Sequence, residues 1–291
     1  MIKVILQGGL GNQMFEYAAA YALSRRNNMP FALDMSYMDV FGHKSWCRPY
    51  ELSVFALHQT SSVTHDYHLA VHLLPRIRQW CRRRGWHQLG RYVFEIKDIE
   101  QLPICRSMTI FDYCTNYKLF DKYRDDILLA FSFVEKPNIA NAEILKEIQE
   151  TNSVAVHIRR GDYLNSFNNN VFFHPSEAWY RNAMEEIRRR VDSPRFYFFS
   201  DDIQWVREHF ADIEDAVYVD INHGNSAYND MRLMSACKHN IIANSTFSWW
   251  AAWLNINPQK IVIAPQKYYR DESSNKKYVE YMIPPNWIKL E

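Results

Sequence analysis

The chain has 291 residues, comfortable for two domains of ordinary size, and 47% of them are apolar, too many for a disordered chain. Its 34 basic and 33 acidic residues leave a net charge of +1, which argues against a general nucleic-acid binder. Five cysteines without a Cys-x-x-Cys pair point away from a zinc ribbon or a disulfide framework and toward reduced thiols in a cytosolic chain.

Ile2 to Leu6 reads as a buried strand leading straight into a glycine loop, not as a signal peptide, and no apolar stretch is long enough to span a bilayer. The loop runs from Gln7 to Asn12. From Gln13 to Arg26 the spacing turns helical, with Met14, Ala18, Tyr21 and Ala22 on one face. Asn27 to Pro30 stops that helix, and Phe31 to Leu33 begins a second strand. Strand, loop, helix and strand form the opening of a Rossmann-like domain. Gly9 and Gly11 offer two glycines of a dinucleotide fingerprint, but Met14 stands where the third belongs, so a nicotinamide cofactor is not expected. A glycine turn before a helix N-terminus favours an anion, or simply packs the helix close to the strand.

Residues 37–64 read as loops and short helices. In the basic stretch that follows, Leu69, Leu73, Ile77 and Trp80 form an apolar face, and Pro75 is expected to interrupt the helix. His65, His68 and His72 fall at helical spacing without a carboxylate or cysteine in the same pattern, so they read as a solvated face and no metal site is expected. Arg76, Arg78, Arg82, Arg83, Arg84 and Arg91 make a positive patch, suited to anionic lipid or to an ordinary surface helix. Tyr92 to Ile96 and Met108 to Phe111 read as strands, and Ala140 to Glu150 as an amphipathic helix. The domain boundary is expected within 136–152, dividing the chain into 1–145 and 146–291.

The second half alternates regularly. Strands are expected at 154–159, 196–199, 216–219, 240–243 and 261–263. Helices are expected at 176–191, from 202 to 210, at 227–238, and from 246 onward. This is an α/β pattern with a parallel sheet and helices on both faces. The tail, 265–291, is expected to pack back across the molecule. Four strands end in polar residues: His157 to Asp162, Ser200 to Asp202, Asp220 to Gly224 and Asn244 to Ser248. In one parallel sheet these gather at a single edge. Arg159 and Arg160 match phosphate oxygens there, or else pair with nearby carboxylates. Ser245, Thr246 and Ser248 suit phosphate at a helix start, or plain capping. Asp201, Asp202 and Asp230 offer acceptors to a nucleobase or ribose, with capping again the alternative for the first two. No Asp-x-Asp pair occurs, so the usual aspartate clamp for a divalent metal is missing from the sequence, which leaves arginine and helix N-termini to carry pyrophosphate charge.

Three blocks resemble the α-1,2-fucosyltransferases of glycosyltransferase family 11: GGLGNQMFEYAAAYAL at 8–23, VAVHIRRGDY at 154–163, and NDMRLMSACKHNIIANSTFSWWAAWL at 229–254. YFFSDD at 197–202 agrees. The resemblance implies two Rossmann-like domains facing across a cleft, the GT-B arrangement, with an acceptor-side N-terminal domain and a donor-binding C-terminal one. It implies a galactoside 2-α-L-fucosyltransferase: inverting transfer of L-fucose from GDP-β-L-fucose to a galactose 2-hydroxyl, without an obligatory metal. Arg159 would then hold the GDP β-phosphate and His157 the nucleoside side. Arg160 and Asp201 would also line the donor site, Asp230 would face guanine, and Asn244, Ser245, Thr246, Phe247 and Ser248 would meet the phosphates. Gly11, Asn12 and Gln13 would face the cleft. Asp162 is the first candidate for the base that takes the acceptor proton, and Glu16 the second. His174-Pro175 is not preceded by the glutamate that more distant fucosyltransferases carry. Animal members are anchored by an N-terminal membrane helix. This chain begins at its first strand and so resembles a bacterial, cytoplasmic enzyme. A galactose-terminated oligosaccharide or a lipid-linked glycan precursor is the acceptor expected, with peripheral membrane contact through Arg76–Arg91 and no nucleic-acid partner.

Overall fold

The structure is a computed structural model and describes residues 1–44, 47–58, 61–100, 102, 107–161 and 170–291. It divides into two compact units, Met1–Val134 and Glu135–Glu291. The division falls ahead of the expected 145/146 boundary because the helix Ile139–Glu150 packs on elements of the second unit.

Unit 1 is built on a six-stranded sheet in the order β3-β2-β1-β6-β5-β4. Its strands are β1 (Ile2–Ile5), β2 (Phe31–Asp34), β3 (Ser61–Thr64), β4 (Gln88–Leu89), β5 (Tyr92–Val93) and β6 (Met108–Ile110). All pairs are parallel except β4 with β5. Ile2, Val4 and Ile5 are fully buried, as an uninterrupted apolar run in a parallel sheet requires. Helix α1 (Leu10–Asn27) is buried from Leu10 to Leu23 except at Asn12, so it shows little one-sided periodicity. Asn28 closes it in the left-handed region at φ 49°. Helices α2 (Ser36–Phe41), α3 (Leu74–Arg83) and α4 (Arg124–Ala130) complete the unit.

Two expectations are corrected here, and one holds. β3 is a true strand in a stretch read as irregular, because Ser-Ser-Val-Thr carries no apolar run and owes its conformation to pairing with β2. The break expected at Pro75 is present: a 3-10 turn, Ala70–His72, precedes it, and α3 starts afresh at Leu74 with Pro75 in its first turn, where the missing N–H has no partner to lose. The apolar face also turns the other way. Leu74 and Cys81 are buried and Ile77 packs on the core, whereas Leu69, Leu73 and Trp80 are exposed.

Unit 2 opens with α5 (Ile139–Glu150) and β7 (Asn152–Ile158). There follow α6 (Glu177–Arg188), β8 (Pro194–Ser200), α7 (Ile203–His209), β9 (Ala216–Tyr218), α8 (Tyr228–Ala236) and β10 (His239–Ile241). The chain ends through α9 (Thr246–Leu254), β11 (Val262–Pro265), α10 (Glu272–Met282) and β12 (Ile288–Leu290). The sheet is parallel throughout, in the order β12-β11-β10-β7-β8-β9. The chain steps outward from β7 through β8 and β9, then returns to β7's other side as β10. The strand order therefore reverses between β7 and β10, where α/β sheets open a ligand crevice at the carboxyl ends. Val154, Val156, Phe196, Phe198, Ile241 and Ile263 form the core beneath. The tail does pack back: β12 pairs with β11, and Trp249 donates its indole N–H to the Met282 carbonyl.

Candidate functional site

The carboxyl end of β7 delivers His157, Arg159 and Arg160 to that switch point. His157 alternates with the core-facing Val156 and Ile158, yet it too is buried, beside the Phe247 ring at a centroid distance of 5.9 Å. Its Nδ1 has no hydrogen-bond partner among the described residues. Burial first, and then the charge of Arg159, push its pKa down to about 4, so the ring is neutral at physiological pH.

Arg159 and Arg160 are both held by carboxylates at the carboxyl end of β8. Arg159 Nη1 lies 3.0 Å from Asp201 Oδ2. The backbone N–H of Arg160 donates to Asp201 Oδ1 at 2.8 Å. Arg160 Nε donates to Asp202 Oδ2 at 3.2 Å, and its guanidinium lies 3.7 Å over the Trp205 ring. Asp202 also caps α7 by accepting from the Trp205 N–H. Gly161 makes this arrangement possible, since a Cβ there would sit 2.5 Å from Asp201 Oδ2.

Each oxygen of Asp201 is engaged by the turn after β7, so it orients the arginines. The carboxylate pairing that the sequence offers for these arginines is present. A guanidinium held by one carboxylate is a preorganised donor for a second anion.

Ser245, Thr246 and Phe247 open α9 and are half-buried, with the Ser245 side chain accepting from the Phe247 N–H at 3.3 Å. Two of their neighbours face elsewhere. Ser248 is fully buried and donates to the Ala243 and Ser245 carbonyls. Asn244 is buried, and its amide donates to the Phe173 and Tyr268 carbonyls, tying two loops together. Successive residues around a helix start point in different directions. Asp230 lies in the first turn of α8. Asn222 donates to its Oδ1 at 2.8 Å and is itself bonded to Asn141. Burial raises the Asp230 pKa to about 7 against that hydrogen bond.

In unit 1 the glycine loop is buckled from inside. Gln13 donates to the Gly8 and Pro49 carbonyls at 2.9 and 2.7 Å and accepts from the Glu51 N–H. Gly8 has φ +67°, and a Cβ there would meet the Asn12 amide at 2.4 Å. Gly11 is buried and Asn12 half-buried. Glu16 is fully buried, accepts the Gln7 N–H at 2.9 Å, and is pushed well above the carboxylate range by burial. Gln13 and Glu16 are therefore both turned toward the backbone of their own loop. The first has its amide occupied by backbone groups, and the second is shut away from solvent, where burial favours its protonated form. Asp162 lies outside the described residues.

Sequence reasoning missed Trp205, Gly161, Asn222 and Asp112. Only Gly161, directly after two arginines, left a signal. Asp112 is half-buried just beyond β6, and desolvation raises its pKa to about 6. The histidine reading is amended too. Asp39 supplies the carboxylate that the pattern lacked, lying 2.6 Å from His65 Nδ1 and 2.9 Å from His68 Nε2 in an exposed cluster after β3.

The sequence profile described as Glycosyl transferase family 11 matches residues 86–291. The O-antigen biosynthesis glycosyltransferase WbnK of Escherichia coli is 32% identical over 98% of this chain and 99% of its own length. An alpha-1,2-colitosyltransferase of Escherichia coli is 28% identical, over 98% of this chain and 97% of its own. Among solved structures, the NodZ alpha-1,6-fucosyltransferase soaked with GDP-fucose superposes with a TM-score of 0.53 at 12% identity, covering 90% of this chain and 94% of that one. That likeness establishes the fold: two parallel-sheet, Rossmann-like units of the GT-B type.

Proposed function

Because the chain belongs to glycosyl transferase family 11, we propose that it transfers L-fucose from GDP-β-L-fucose to the 2-hydroxyl of a galactose unit, with inversion and without a metal. The observation that carries this reading is Arg159, fixed by Asp201 at the switch point of a parallel sheet, with neutral His157 and the start of α9 at the neighbouring strand ends.

Cleavage of the sugar–phosphate bond develops positive charge on the sugar and negative charge on the leaving nucleotide. An arginine already oriented by Asp201 meets that charge without reorganising, so it stabilises the transition state more than the ground state. The half-buried N-terminus of α9 adds backbone N–H groups that favour phosphate. His157, kept neutral, donates or accepts a hydrogen bond without adding a second cation beside Arg159. Asp230 offers a carboxyl group to guanine. The acceptor hydroxyl must lose its proton, and Asp162, directly after Gly161, is the candidate base; Asp162→Asn tests it. The acceptor fits a galactose-terminated oligosaccharide or a lipid-linked glycan precursor, in keeping with the O-antigen relative.

A second reading is favoured by the colitosyltransferase relative: the same transfer with a different GDP-sugar. Incubation with GDP-fucose and β-galactosides, with and without chelator, tests the first reading. A product fucosylated at the galactose 2-hydroxyl, formed despite chelator, is the expected result. Preference for GDP-colitose in direct competition would move the donor assignment. GDP binding without turnover of either donor on any galactoside would count against transferase activity.

A further inference from the structure

The exposed apolar face of α3 is the surface that the core does not explain. Leu73, Arg76, Trp80 and Arg83 recur at spacings of three and four, so they form one stripe opposite the buried Leu74 and Cys81. Leu73 is 55% and Trp80 42% exposed. Trp86, 47% exposed, packs edge-on against Trp80 at 5.3 Å, and the Arg84 guanidinium lies 4.0 Å over the Trp80 ring. Leu69 continues the stripe at 89% exposure.

The charge on this surface has one sign. Between Tyr67 and Phe94 the chain carries six arginines and no carboxylate. Arg78 turns inward over the Phe111 ring, but Arg76, Arg82, Arg83, Arg84 and Arg91 are exposed. The flanking carboxylates are already paired: Asp66 with Lys3, Asp39 with His65 and His68, and Glu95 with His87; half-buried Asp112 is near Arg78 and Arg82. Among the described residues no ion pair engages Arg76, Arg82, Arg83 or Arg84.

We propose that this face docks the protein on an anionic lipid surface, with Trp80, Trp86 and Leu73 entering the headgroup layer and the arginines pairing with lipid phosphates. Indoles are suited to that depth because the ring is apolar and its N–H polar. Exposed apolar side chains ringed by unpaired guanidinium groups complement a bilayer interface whose surface potential is negative. A lipid-linked acceptor would then be met at the surface that holds it, but the docking itself is independent of donor and reaction.

The test is cosedimentation of the full-length protein with phosphatidylcholine vesicles, with and without phosphatidylglycerol. Binding is expected only to the anionic vesicles, and raising salt to about 0.5 M should release the protein. Trp80→Ser with Trp86→Ser, and separately Arg83→Glu with Arg84→Glu, should each lower the bound fraction at least about fivefold. Thermal melting should show both variants folded, since these side chains are exposed. No binding to anionic vesicles, equal binding to neutral ones, or variants that bind as well as the parent would each overturn the proposal. So would self-association of the parent that Trp80→Ser abolishes, because the face would then be covered by a second copy. Should a variant fail to fold, the lipid and salt dependence of the unmodified protein decides alone.

Discussion

Asp201 holds Arg159 through one carboxylate oxygen, at 3.0 Å from Nη1, and receives the Arg160 N–H on the other at 2.8 Å. One residue at the end of β8 thereby sets both the side chain and the backbone path at the end of β7.

Replacing Arg159 with alanine should lower kcat roughly 100- to 1000-fold, with a much smaller change in the affinity for GDP. Lysine should not restore the rate, because a point charge does not reproduce the guanidinium fork. Asp201→Asn should fall between parent and alanine variant, since the amide keeps an acceptor but loses the charge that orients Arg159. Equal losses in kcat and in GDP affinity for Arg159→Ala would mean that the arginine only binds.

Gly161→Ala places a Cβ 2.5 Å from Asp201 Oδ2 and forces one of the two to move. The expected loss in kcat is on the order of 10- to 100-fold, as for other small misplacements of a reacting group's support. The melting temperature should change little, because the turn is at the surface. Steady-state kinetics beside a thermal melt separate the two effects.

Glu16→Gln should keep most of the activity, because an amide oxygen accepts the Gln7 N–H as a protonated carboxyl does. Glu16→Ala should lose stability by leaving that buried N–H without its partner, about 1–3 kcal/mol. A collapse of kcat in Glu16→Gln with unchanged melting would return Glu16 to the role of base.

Asp230 gives a pH signature of definite sign. Its carboxyl group titrates near 7 in the fold and near the ordinary 3.8 when unfolded. The fold therefore favours the protonated form. Stability from this group is full below about 4, falls as pH rises toward 7, and stays low above it. Asp230→Asn should leave the melting temperature unchanged near pH 4 and raise it relative to the parent at pH 8. The same substitution should alter GDP binding at both values if the carboxyl group meets guanine.

Much of this was legible before any coordinates. β7, β8, α6 and α9 announce themselves through apolar runs, a serine cap at Ser176 that accepts from the Trp179 N–H, and the tryptophan-rich turns of α9. The arginines and the end of β7 were legible for the same reason: two charges follow a buried strand and stop at a glycine. What escaped the sequence was direction. Gln13, Glu16, Asn244 and Ser248 all lie in site motifs, yet each turns to satisfy buried backbone groups nearby. A motif fixes which residues meet, not which way each side chain faces. On α3 the sequence showed an amphipathic helix, but Leu73 and Trp80 compose as apolar a stripe as Leu74 and Cys81. Only packing against Ile5, Phe94 and Phe111 decides which stripe is inside.

The central place of β7 bears on how the molecule is made. Unit 1 has all its strands in hand once Ile110 has emerged from the ribosome, whereas β7 waits for β10 to cover its second edge. Until β8 is made both edges of this long apolar strand are open, and from then until His239 one row of N–H and C=O groups stays open to any extended chain nearby. The growing polypeptide is most exposed to wrong pairing in that interval, and slower translation before residue 239 or a shortage of chaperones should cost yield there first.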